Sequence, residues 1–65
     1  MPIIRVDGPP VANIDKKREF VRVVTDAASE FYGLPKQIIV VIIQENKQEN
    51  VGSGGELILD MHSKG

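Results

Sequence analysis

The sequence predicts an α/β protein made of a single β-α-β unit with a short C-terminal hairpin or strand, whose sheet is completed by oligomerisation. An amphipathic helical pattern lies between two short aliphatic segments, residues 3–6 and residues 38–43. The second segment is apolar without interruption, as is typical of a parallel strand covered on both faces. The helix between them is long enough for a right-handed crossover, but it can cover only one face of the sheet. A second copy of the chain is the simplest cover for the other face.

With 65 residues, the chain is expected to form one domain, residues 1–65. A single core at this length rarely supplies more than about 3–5 kcal/mol without disulfides, a metal ion or self-association. Cysteine is absent and His62 is the single histidine, which excludes a His/Cys metal cage. We therefore expect a homo-oligomer that holds no metal.

The charge pattern argues against two classes of partner. Eight Lys and Arg residues against nine Asp and Glu residues give a net charge of -1, without the basic stripe that nucleic-acid binding requires. No segment approaches the roughly 18 apolar residues of a membrane span, and the N-terminus lacks a basic region followed by an apolar signal stretch. We expect a cytoplasmic protein that binds neither nucleic acid nor membrane.

The first strand and the helix have clear boundary signals. Strand residues 3–6 are followed by Asp-Gly-Pro-Pro at residues 7–10, whose prolines cannot continue a ladder. Asn13 or Asp15 can cap the helix, and Gly33 is expected to end it. The apolar positions of the predicted helix recur at three- and four-residue spacing: Phe20, Val23, Val24, Ala27, Ala28 and Phe31.

The second strand is expected over residues 38–43, which are all β-branched. A polar loop follows at residues 44–50, and then a glycine-rich segment at residues 52–55. This segment lacks the following helix and the Lys-Ser/Thr pair of a phosphate loop, so it is better interpreted as a hairpin turn with positive φ. Residues 56–60 are then either part of a short hairpin or a strand added to a neighbouring subunit.

Pro2 is the candidate catalytic residue. If Met1 is removed, Pro2 becomes a secondary amine at the start of a strand, next to the apolar residues Ile3 and Ile4. A free α-amino group has a reference pKa of about 7.7–8.0, and burial beside apolar groups lowers an amine pKa toward the range that a general base needs.

Three features together resemble the 4-oxalocrotonate tautomerase family. They are the Met-Pro start with its aliphatic strand, the aliphatic second strand that ends in Glu45, and the stretch Glu-Asn-Val-Gly-Ser-Gly-Gly-Glu-Leu at residues 49–57. The resemblance covers nearly the whole chain. It implies an isomerase, a cofactor-independent keto-enol tautomerase in which Pro2 is the general base and moves a proton within a small enol, dienol or 2-oxo acid. It also implies a homohexamer built from paired dimers.

The binding residues of this family are only partly present. Family members carry an arginine before the helix and another in the second strand, where this chain has Ala12 and Val40, and Val51 replaces an aromatic pocket residue. The substrate-binding candidates are Ile38, Val40 and Val51 for an apolar wall, with Arg5 or Lys36 supplying a cation. Lys16, Lys17 and Lys47 are further candidate cations.

The sequence also leaves two other functions open. A hydrolytic relative, of the hydratase or dehalogenase kind, would need a charged Pro2 and a carboxylate that activates water. A non-enzymatic oligomer with a decayed site would explain the missing arginines. The sequence offers no well-placed carboxylate for the hydrolytic reaction, and the tautomerase is the leading hypothesis.

Overall fold

The structure, a computed structural model that describes residues 1–63, has two parallel strands joined by a long helix. Strand β1 (Ile3–Gly8) is followed by helix α1 (Ile14–Tyr32) and strand β2 (Val40–Glu45). The register of the two strands places Ile3 opposite Val40 and Gly8 opposite Glu45. The predicted α/β class and the β-α-β unit are confirmed.

Helix α1 has the end signals that its sequence contains. Asn13, one of the two candidate caps, accepts hydrogen bonds on Oδ1 from the backbone N–H groups of Asp15 at 2.9 Å and Lys16 at 3.4 Å. Gly33 ends the helix in the left-handed region at φ 67°, and its N–H donates to the Ser29 carbonyl at 2.9 Å. Only glycine adopts this backbone conformation readily, so Gly33 fixes where the helix stops.

Strand β2 begins two residues later than predicted and ends two residues later, at Glu45. A short 3₁₀ turn, Lys36–Ile38, follows Pro35. The N–H groups of Ile38 and Ile39 donate to the carbonyls of Pro35 and Lys36, respectively. Those donors are therefore unavailable to the sheet. Val40 is the first residue to pair, and its N–H donates to the Pro2 carbonyl at 3.0 Å.

The C-terminal segment forms a hairpin and then a helix. Strands β3 (Gly52–Ser53) and β4 (Glu56–Leu57) are antiparallel, and both turn glycines, Gly54 and Gly55, have positive φ. The predicted hairpin is confirmed. The prediction that strand structure continues to residue 60 is wrong, because helix α2 (Ile58–Ser63) starts directly after β4. The Ile58 N–H donates to the Val51 carbonyl at 2.8 Å.

The two faces of the sheet differ in cover. Side chains alternate along β1, with Ile4 and Val6 half-buried and Ile3 and Arg5 exposed. The face that carries Ile4 and Val6 lies under α1. Because paired residues of parallel strands point the same way, Val40 and Ile42 of β2 share the opposite, open face with Ile3 and Arg5.

Helix α1 is also apolar beyond the side that packs on the sheet. On the side facing the sheet, Ala28 is buried at 9% exposure, and Val21 and Val24 are half-buried. Ile39, the residue just before β2, is also buried at 9% exposure. The remaining positions of the predicted apolar stripe are exposed, and we call them the outer stripe: Phe20, Val23, Ala27 and Phe31. Among the described residues, no helix is both long and apolar enough to cross a membrane.

Candidate active site

Pro2 lies immediately before β1 and is held against the start of β2. Its side chain is half-buried, and its carbonyl accepts the hydrogen bond from Val40 N–H. Met1 is 81% exposed, so its removal sacrifices little packing. The nitrogen of Pro2 therefore lies at the amino end of the sheet, at a fixed backbone position.

The predicted substrate-binding residues are divided between the two ends of the sheet. Val40 is the first residue of β2 and contacts Pro2 at the amino end of the sheet, and the 3₁₀ turn just before it contains Lys36 and Ile38. Val51 lies at the carboxyl end, just before the hairpin. Arg5 is in the middle of β1, on the open face.

Two cavities of similar size lie at the carboxyl end of the sheet, one on each side, and Gly8 and Pro9 line both. The helix-side cavity has a volume of about 330 Å³ and is lined also by Val6, Val11, Lys16, Lys17, Phe20, Ile43 and Gln44. The hairpin-side cavity has a volume of about 340 Å³ and is lined also by Asp7, Asn46, Gln48, Val51 and Ile58. Pro2 lines neither of them.

Glu45 connects three parts of the chain at this end. Its Oε2 accepts the Val11 N–H at 2.6 Å, and its Oε1 accepts the Lys17 ammonium at 2.9 Å. The hydrogen bond from Val11, followed by that from Lys17, holds the pKa of the Glu45 carboxyl below its usual value. In the sequence, Glu45 stands out only as an acidic residue at the end of an aliphatic strand, because its two partners lie in distant parts of the chain.

The candidate cations differ in whether they are already paired. Lys17 is bound to Glu45, and Lys36 lies 2.8 Å from a carboxylate oxygen of Asp26, where the hydrogen bond from Lys36 lowers the Asp26 pKa. Within the described part of the chain, three candidates have no carboxylate partner: Arg5, Lys16 and Lys47. Of these, Lys16 lines the helix-side cavity.

The described residues include a candidate base and two cavities, but one chain does not bring them together. No group of three His, Cys, Asp or Glu residues in the described region has a geometry that could hold a metal ion; the His62 side chain lies outside that region. The strand that separates Pro2 from Gly8 spans about 20 Å at roughly 3.3 Å per residue. The candidate base and the two cavities are therefore far apart within one chain.

Comparisons with known proteins give a consistent result. The model of the tautomerase enzyme family matches residues 2–61. The structure of DmpI from Archaeoglobus fulgidus is 46% identical, with a TM-score of 0.80 over 91% of this chain and 100% of that one. A 4-oxalocrotonate tautomerase homologue is 33% identical, with a TM-score of 0.82 over 92% of this chain and 95% of that one.

A more distant structure shares the fold. A heterohexamer 4-oxalocrotonate tautomerase from Chloroflexus aurantiacus is 23% identical, with a TM-score of 0.80 over 94% of this chain and 98% of that one. None of the curated proteins compared with the chain matches it significantly. Because the family model covers nearly the whole sequence and begins at Pro2, the chain belongs to the tautomerase enzyme family.

Proposed function

We propose that the protein is a cofactor-independent keto-enol tautomerase and that Pro2, after removal of Met1, is its general base. The observation that carries the proposal is the match to the tautomerase family over residues 2–61, which starts at Pro2. With Met1 attached, the Pro2 nitrogen is part of an amide and has no basic lone pair. With Met1 removed, it is an amine whose reference pKa, about 7.7–8.0, is close to neutral pH.

The reaction needs only a proton carrier and a stabilised oxygen. The Pro2 amine accepts the proton of the enol hydroxyl, the carbon–oxygen bond becomes a carbonyl, and the π electrons of the carbon–carbon double bond form a new C–H bond with the proton that Pro2 returns. A cation or an N–H group near the substrate oxygen stabilises the charge that develops on it. Arg5, Lys16 and Lys47 are the candidates for this role, since Lys17 and Lys36 are paired.

The distance between Pro2 and the cavities supports a site shared between subunits. In a homo-oligomer, the amino end of one chain can lie at the carboxyl end of another, which brings the base to a cavity. The open face of the sheet and the outer stripe of α1, where Phe31 is 81% exposed, are the surfaces available for such assembly. Among the described residues, the parallel sheet contains only β1 and β2, so each of these strands also has one unpaired edge.

The proposed assembly is a homohexamer of paired dimers. The fold shared with the Chloroflexus aurantiacus heterohexamer supports it, and so does the small core of the chain, in which only Ala28 and Ile39 are buried among the described residues. Val51 of one subunit and Val40 of another would then supply apolar walls on either side of a small substrate.

The proposal is tested with the protein whose N-terminal mass shows that Met1 has been removed. We expect enol-to-keto conversion of phenylenolpyruvate and of simple 2-hydroxydienoates, followed by the loss of the enol absorbance. Failure of the processed protein to convert any of these substrates would favour a non-enzymatic oligomer. Addition of water to an unsaturated acid in place of isomerisation would favour a hydrolytic relative.

A further inference from the structure

We propose that Glu45 is a positioning residue that holds the β1–α1 loop (residues 9–13) in place as a wall of both cavities, and so determines how tightly a substrate binds. The proposal rests on the proposed function, in which a cavity at the carboxyl end of the sheet receives the substrate. It gives a role to a charged contact that neither Pro2 chemistry nor the missing family arginines explain.

The Glu45 contact joins residues that are far apart in the sequence. Val11 lies 34 positions before Glu45, and Lys17 lies 28 positions before it. One carboxylate thus fastens the loop and the first turns of α1 to the end of β2. The Lys17 and Glu45 side chains are 26% and 33% exposed, less than any other ion pair of the described residues. Both side chains are still partly exposed, so the ion pair alone contributes little, and the hydrogen bond from Val11 to the same carboxylate is the contact that holds the loop.

The loop has few other means of attachment. Pro9 and Pro10 have no backbone N–H, so they cannot donate to the sheet or to the helix. Among residues 9–12, Val11 is the only one with a backbone N–H hydrogen bond in the region that the structure describes. Loss of the Glu45 carboxylate therefore removes the one bond that ties the middle of the loop to another element.

The same loop shapes the cavities. Pro9 lines both of them, and Val11 lines the helix-side cavity beside Lys17. A loop that moves away from β2 enlarges these cavities and weakens the apolar contacts to a substrate. Glu45 lies at the opposite end of the strands from Pro2 of the same chain, so we expect its loss to change binding more than the proton-transfer step.

The experiment compares Glu45→Ala and Glu45→Gln with Glu19→Ala and Glu19→Gln. Glu19 is a matched control, because it also pairs with a cation, Arg22, but lies on the exposed side of α1 and lines neither cavity. Hydrogen exchange of the Val11 amide is measured by NMR, and the Kd for phenylpyruvate by titration. KM and kcat are measured with phenylenolpyruvate.

We expect Glu45→Ala to speed Val11 exchange and to raise both Kd and KM by about tenfold, with kcat changed by less than about threefold. Glu45→Gln retains one acceptor oxygen and should give intermediate values. The Glu19 variants should match the wild type. If Glu45→Ala fails to fold by circular dichroism, Glu45→Gln decides the question by the same measurements.

Three results would overturn the proposal: unchanged Val11 exchange, unchanged Kd, or a fall in kcat with KM unaffected. The two proposals fail separately. A wild-type protein that binds phenylpyruvate without turning over its enol contradicts the tautomerase function, while the Kd and the exchange rates still decide the role of Glu45. A wild-type protein that does not bind phenylpyruvate contradicts both.

Discussion

The amino end and the carboxyl end of the two-stranded sheet carry different parts of the candidate site. At the amino end, Pro2 is fixed to Val40 by a backbone hydrogen bond of 3.0 Å. At the carboxyl end, Glu45 accepts hydrogen bonds from the β1–α1 loop and from the start of α1. Two cavities of about 330 and 340 Å³ lie at this end. The candidate base therefore lies at one end of the sheet, and these two cavities lie at the other.

This division is the reason for proposing a site shared between chains. The two ends are separated by about 20 Å of extended strand, which is too far for one small substrate to contact both. In the homo-oligomer that we propose, an end of one chain would complete the end of another. The predictions below test each end and the connection between them.

The largest effect is expected at the amino end, from Pro2→Ala. The substitution replaces a secondary amine by a primary one at the chain start and removes little buried surface, so stability should change little. Loss of a positioned general base typically lowers the rate by about 10²–10⁴-fold, and we expect kcat for phenylenolpyruvate to fall within that range. The protein that retains Met1 is the matched control, since its Pro2 nitrogen is an amide; it should be equally inactive. Activity of Pro2→Ala within a few-fold of the wild type would exclude Pro2 as the base.

Assembly should be lost when a charge is placed on the open face of the sheet. Val40→Asp or Ile42→Asp would put a carboxylate where we propose that another copy packs, and an unpaired buried charge costs several kcal/mol. Sedimentation at micromolar concentration should then show dissociated or unfolded chains, whereas Gln37→Asp, at an exposed position, should leave the assembly intact. A wild-type protein that sediments as a stable monomer would contradict the shared site.

Substrate preference tests whether the two ends meet as proposed. The resemblance to the 4-oxalocrotonate tautomerase family implies that Ala12 and Val40 stand where family members carry arginines, and a charge-assisted hydrogen bond contributes about 1.5–3 kcal/mol. The loss of two should lower kcat/KM for 2-hydroxymuconate, a dicarboxylate, by about two orders of magnitude relative to its monocarboxylate analogue. Val40→Arg should reduce the difference. A wild-type preference for the dicarboxylate would assign the arginine role to Arg5, Lys16 or Lys47, the cations that have no carboxylate partner among the described residues.

The smallest effect is expected from acid titration at the carboxyl end. The pKa of Glu45 is lowered from 4.5, chiefly by the Val11 N–H, so its ionised form is favoured in the folded protein. This contribution to stability is complete above the unfolded pKa and is lost as the pH falls through the folded one. In urea unfolding at constant protein concentration, the difference between wild type and Glu45→Gln should therefore shrink between pH 6 and pH 3. A difference independent of pH would mean that the carboxylate charge does not contribute.

The sequence contains local signals for most of the fold. The helical periodicity, the cap at Asn13, the stop at Gly33 and the turn at Gly54 and Gly55 depend on neighbouring residues, and the structure confirms each. The start of β2 is not predictable from the sequence, because the β-branched residues Ile38 and Ile39 fit a strand as well as residues 40–43 do. Only the hydrogen bonds of the 3₁₀ turn separate them from the strand. Helix α2 is not predictable either, because the apolar residues after Leu57 fit a strand as well as a helix.

The candidate site was less predictable, because its geometry depends on distant pairings. The position of Pro2 at the start of a strand follows from the sequence, and the structure places it there. The pairing of Lys36 with Asp26 and of Lys17 with Glu45 joins residues from different elements, which no local pattern indicates. These pairs remove two of the cations that the sequence offered to a substrate.

The parallel pairing of β1 with β2 also has a consequence for how the chain folds. Ile3 pairs with Val40 across more than half of the polypeptide, so the entropy of closing this loop is lost before the sheet contributes anything. Ala28 and Ile39 are the only buried residues among those described, which leaves one chain little apolar surface to offset that loss. Productive refolding should therefore be a second-order process, faster at higher protein concentration, with chain encounter rather than internal collapse limiting its rate.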